Sequence, residues 1–116
     1  MNFDSFTAVL LLTPAAPPEL DEEAAGAIQD QHLNFLAELH ESGKLLAAGP
    51  LLDPGRKVRG LSLFKADLEE TRVLVEQDPA VQAGVFEVQL LPWLVPAGAL
   101  KFATTRFPHS RADVGS

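Results

Sequence analysis

The chain has no cysteine and no tyrosine among its 116 residues. The first absence excludes disulfides, thiolate chemistry and cysteine-ligated zinc. Together they leave few acid–base groups beyond histidine and the carboxylates. Positive charge is scarce too: 9 Lys and Arg stand against 16 Asp and Glu, for a net charge of −7 and a pI near 4.8. Such a surface repels a phosphate backbone and an anionic bilayer alike, so neither nucleic acid nor a membrane is expected as a partner. Long hydrophobic runs are missing. The first apolar run, Ala8 to Leu12, is too short to span a bilayer. Asp4 precedes it and no Lys or Arg does, unlike a secretory signal, so a cytoplasmic protein is expected. There is no Gly-rich phosphate loop, no GxSxG elbow and no HExxH, and no metal site or cofactor is expected.

What is present suits one folded domain: 47% hydrophobic and 22% charged residues. A chain this short cannot easily hold both a core and a deep, self-contained cavity. Small folds often solve this by pairing with a copy of themselves.

"FTAVLLL" (Phe6 to Leu12) reads as a strand with apolar residues on both faces. The prolines of "TPAAPPE" end it. A helix begins near Glu19 to Asp21, favoured by acidic residues at its positive end, and runs to about Ser42, with Gly43 placed to cap it. "LLAAG" (Leu45 to Gly49) is a second strand, Asp53-Pro54-Gly55 a turn, and "GLSLFKA" (Gly60 to Ala66) a third strand. Asp67 caps a second helix, with Glu70 in capping-box position, and Asp78-Pro79 stops it. "VFEVQLL" (Val85 to Leu91) is the fourth strand, its regular ladder ending at Pro92. The order βαββαβ is the ferredoxin-like split βαβ pattern: an α+β domain with a four-stranded antiparallel sheet and two helices on one face. It spans residues 1–100. A tail, 101–116, follows; its end is expected to be mobile, while Phe102 and Phe107 pin its first part. The face opposite the helices needs a cover, and the two-sided apolarity of the first strand favours a second chain.

His32 is the first candidate for chemistry. It lies in the apolar stripe of Ile28, Phe35, Leu36 and Leu39. A lone histidine on such a face is more often a packed residue than a working one. His40 reads as a surface or helix-end histidine, and nothing supports His109 as a ligand. Asp78 is the second candidate. At a helix C-terminus its carboxylate meets the negative end of the dipole, so it wants a donor nearby, and an imidazole N–H is one. An Asp–His pair fixes the tautomer, as a general base requires. The third feature is glycine at two strand ends, Gly49-Pro50 in "AAGP" and Gly84 in "QAGVF", where backbone can approach a ligand closely.

Taken together, "QDQHLNFLAELHESGKLLAAGPL" (Gln29 to Leu51) and "EQDPAVQAGVFEVQLLPW" (Glu76 to Trp93) resemble the YCII-related (YciI-like) family. The resemblance runs from the first strand through Trp93. It implies a ferredoxin-like fold that forms a dimeric α/β barrel, similar to muconolactone isomerase. It implies an active site built on a His–Asp pair, here His32 and Asp78. Many relatives carry an arginine shortly before that histidine; Ile28, Gln29, Asp30 and Gln31 stand there instead. A sister family carries a DGPF block where this chain has "AAGPLLDPG". A few relatives act on degradation products of aromatic rings.

The resulting expectation is a homodimer acting on a small organic metabolite. His32 and Asp78 would do cofactor-free acid–base chemistry: isomerisation, elimination or hydrolysis. Gly49, Pro50 and Gly84 would line the substrate. The alternatives are a non-catalytic binding or sensing module, motivated by the missing arginine, and a haem-using oxygenase on the same scaffold.

Overall fold

The computed structural model describes residues 1–115. Strand β1 (Phe3–Leu12) leads into helix α1 (Glu22–Glu41), then β2 (Leu45–Pro50), β3 (Val58–Phe64), α2 (Leu68–Val75), a single turn α3 (Pro79–Gln82), β4 (Glu87–Pro96) and a last turn α4 (Arg111–Val114). The four strands form one sheet in the order β2-β3-β1-β4, every neighbouring pair antiparallel. This is the ferredoxin-like α+β arrangement that the element order predicts.

Side-chain alternation divides β1 between two environments. Val9 and Leu11 face the helices and join Leu45, Phe64 and Val75 in the main core, with Leu36 and Leu39 of α1 and Leu74 of α2 packed against them. Both long helices therefore share one face of the sheet. Phe6 faces the other way, with Leu63 and Val95. Leu61, Leu91 and Trp93 lie on that same open side, each more than 40% exposed.

The helix ends follow the expected chemistry in part. Asp21 caps α1 by accepting from the Ala24 N–H at 2.7 Å, and Asp67 caps α2 by accepting from Glu70 N–H at 2.8 Å. Gly43 closes α1 at φ +85°, and the Lys44 N–H returns to the Leu39 carbonyl. Glu70 does not complete a capping box; its carboxylate takes the Lys44 ammonium at 2.8 Å instead. In the loop after β2, three backbone N–H groups, those of Val58, Gly55 and Lys57, point at Asp53 and hold its carboxyl below the usual range.

Two expectations that involve proline need correction. β4 does not end at Pro92 but continues to Pro96, with Pro92 opposite Thr7. β4 is an edge strand, and an edge strand can present a missing N–H outward without losing a ladder bond. Asp78 does not sit at the end of the second helix. α2 stops at Val75, and Asp78 is the N-cap of α3, its Oδ1 accepting from the Ala80 N–H at 2.9 Å with Pro79 at the first helical position. The carboxylate thus meets donors rather than the negative end of a dipole.

The tail starts against the open face of the sheet and then folds back along α1. Phe102 packs edge-on against Phe6, and Phe107 stacks on His40 at 3.9 Å with the rings 9° from parallel. The Arg111 guanidinium and backbone N–H both engage Asp30. These bonds hold the Asp30 carboxyl below its ordinary value. Gly26 lies beneath Arg111, where a Cβ would collide with the guanidinium. The anchorage therefore reaches past Phe107 into the segment expected to be mobile.

Candidate active site

His32 is 6% exposed and Asp78 3%. Helix α1 presents the ring over the sheet. The turn after α2 brings the carboxylate beneath it, and Nδ1 lies 2.7 Å from Oδ2. With Oδ1 accepting from Ala80 N–H and Oδ2 facing the ring, both carboxylate oxygens are used as acceptors. In the neutral ring Nδ1 is then the protonated nitrogen and Nε2 carries the lone pair. Nε2 has no hydrogen-bond partner among the described residues.

His32 lines a cavity of about 620 Å³ between α1 and the helix-facing side of the sheet. Leu33, Leu36 and Phe86 supply apolar wall; the Phe86 ring lies 5.6 Å from that of His32. Gly49 and Pro50 also line it, at the end of β2. The space beside Gly49 is open, with no atom within 4 Å of where a Cβ would stand. Gly84 does not line the cavity. It terminates α3 at φ +76°, a conformation that favours glycine, and its N–H bonds the Val81 carbonyl.

Several wall residues escape a reading of the sequence. Arg59 and Ser62 enter from β3. Phe107, Pro108, Arg111 and Val114 enter from the tail and close one side. Only Phe107 carried a signal, as one of the two aromatic residues expected to pin the tail.

Of the other two histidines, His40 keeps the helix-end place expected for it, in the last turn of α1, but not a surface one. It is buried: Nδ1–H donates to the Leu45 carbonyl at 2.7 Å, and Nε2 accepts from the Thr105 N–H at 3.2 Å. Both nitrogens are occupied by backbone, so this ring ties the tail to α1 and β2. His109 meets Asn34 Oδ1 at 2.6 Å and Glu41 Oε2 at 2.7 Å. It is a second clasp of the tail. Of the three histidines, His32 alone keeps a nitrogen for the cavity. Among the described residues no group of three or more His, Asp or Glu side chains is placed to hold a metal ion, and no helix is long and apolar enough to cross a membrane.

A family model described as the YCII-related domain matches residues 7–94. Among solved structures, the chain is similar to 5-chloro-2-hydroxyhydroquinone dehydrochlorinase from Burkholderia phenoliruptrix AC1100, determined in complex with 2,5-dihydroxybenzoquinone. The match has 20% sequence identity and a TM-score of 0.51, and it covers 76% of this chain and 92% of that one. At this identity the likeness is one of fold. No curated protein sequence matches the chain significantly.

Proposed function

Because the chain belongs to the YCII-related domain family, we propose that it is a cofactor-independent enzyme that uses His32 and Asp78 to move a proton on a small organic metabolite. The observation that carries this reading is the 2.7 Å bond between a buried carboxylate and Nδ1 of an imidazole whose Nε2 is left to the cavity. In this role Nε2 takes a proton from the substrate. The electron pair released either expels a leaving group or shifts a double bond, and the new imidazolium returns the proton. Asp78 stabilises the imidazolium and fixes its orientation. Gly49 and Pro50 give the substrate access to bare backbone at the strand end. A cytoplasmic setting goes with this reading, as the place where such metabolites are made and consumed. The solved neighbour, an enzyme acting on a small ring compound, supports the reading.

The test is a screen of small ring and carbonyl compounds for proton exchange in heavy water and for product formation. For a compound that turns over, His32→Ala is expected to lose about 10²- to 10⁴-fold in kcat. Unchanged turnover would reject the role. A compound that binds but yields neither exchange nor product would favour a binding module instead.

The same reading includes a homodimer through the open face of the sheet. Leu61, Leu91 and Trp93 form an apolar surface there that the helices, on the opposite side, cannot cover. Pairing it with a second copy would bury on the order of 1,500 Å² in total, as stable dimers do. Light scattering is expected to give twice the 12.5 kDa chain mass. The monomer mass at micromolar concentration would reject the dimer.

A further inference from the structure

The cavity carries positive charge although the chain as a whole is acidic. Two guanidinium groups line it, those of Arg59 and Arg111. They differ in what they already hold. Arg111 is committed to Asp30, with Nε at 3.0 Å from Oδ1 and Nη2 at 3.2 Å from Oδ2. Arg59 has no carboxylate partner among the described residues. This is notable in a chain with 16 acidic side chains and 9 basic ones. Its guanidinium lies over the face of Phe86, 5.9 Å from the ring centroid. Ser62, 4% exposed, lines the same cavity two residues beyond Gly60, and its hydroxyl has no partner among the described residues.

We infer that the cavity takes an organic anion, with its carboxylate or ionised hydroxyl held by Arg59 and assisted by the Ser62 hydroxyl. The inference rests on the cavity as the ligand site proposed above, but not on any reaction occurring there. The physical argument is one of balance. The protein's overall charge opposes an anion, so local recognition needs a cation that no internal carboxylate has neutralised. Arg59 is a half-buried residue, and a guanidinium beside apolar walls makes a stronger hydrogen bond to an anion than one in open water. Phe86 touches both Arg59 and His32, so it offers a flat apolar surface that connects the anion-binding end to the imidazole.

Benzoate and its neutral counterpart benzamide distinguish charge from shape. Titrated into the full chain at pH 7 by calorimetry, benzoate is expected to bind about 10-fold tighter than benzamide or more. Amide shifts mapped by NMR are expected at Ser62 and Phe86. Arg59→Met keeps an unbranched apolar stem on Phe86 and removes the charge. It is expected to weaken benzoate binding about 10-fold or more and to leave benzamide unchanged. Arg59→Lys is expected to recover part of the loss and serves if the methionine variant does not fold. Equal affinity for the two probes, no binding of either at millimolar concentration, or an Arg59→Met protein with unaltered benzoate affinity would each overturn the inference. Loss of benzoate binding in Arg59→Met alongside unchanged turnover in His32→Ala would uphold the anion site and reject the acid–base role.

Discussion

Asp78→Asn is expected to cut turnover by about 10²- to 10⁴-fold. Removing the charge costs the imidazolium its stabilising partner. It also disturbs the tautomer. The amide has one acceptor oxygen, whereas the carboxylate serves two donors, the Ala80 N–H and the His32 Nδ1–H. If the oxygen stays on Ala80, the NH₂ group faces the ring. Nδ1 must then become the acceptor and Nε2 the protonated nitrogen, the reverse of what a base facing the cavity requires. If the oxygen turns to the ring, the buried Ala80 N–H loses its cap. Either way stability is expected to fall by about 1–3 kcal/mol, an amount urea unfolding resolves. Nitrogen-15 shifts of the His32 ring would report the tautomer directly. A folded Asp78→Asn protein with wild-type kcat would rule out the pair as the source of catalysis.

Phe64→Ala should have the largest effect on stability. Phe64 is 1% exposed and sits where the sheet meets both helices, paired across the strands with Thr7 on one side and Leu45 on the other. Truncating a buried phenylalanine costs about 3–5 kcal/mol, because apolar contacts are lost and the neighbours close the space only in part. Domains of this kind have about 5–15 kcal/mol in all. The midpoint of thermal or urea unfolding should therefore fall steeply. Leu52→Ala makes the control: Leu52 is 94% exposed and its loss should be nearly silent. A small effect at Phe64 would mean that the core is less tightly packed than its burial implies.

Most of the architecture could be read from local pattern. Alternation in β1, the glycine after α1 and the Asp-Pro-Gly turn each act within a few residues, so the element order followed. Two of the misreadings concern proline. A proline ends a ladder only where its N–H would have been used, and whether β4 lies at an edge depends on the whole sheet. Asp-Pro both stops one helix and starts another, with aspartate as cap and proline at the first position. The local letters do not choose between these uses; the path of the chain toward α1 does. The pairing of His32 with Asp78 was legible because helix period and topology placed both on one side of the sheet. The roles of Arg59, Ser62, His40 and the tail were not. They depend on contacts between segments far apart in sequence, such as Thr105 with His40 and Arg111 with Asp30. The family match ends at residue 94, so the cavity wall formed by Phe107, Pro108, Arg111 and Val114 lies beyond the matched segment.

Trp93 stands on the open face of the sheet, 46% exposed and 6.5 Å from Phe6, and it is the only tryptophan in a chain without tyrosine. Ultraviolet emission from this protein therefore comes essentially from one indole, on the face away from the cavity. Its wavelength reads the wetness of that face alone. Covering the face by a second copy would move emission to the blue, and dilution would move it back, without any label. A change on adding a ligand would have to cross the sheet to be seen, so the indole separates events in the cavity from events between chains.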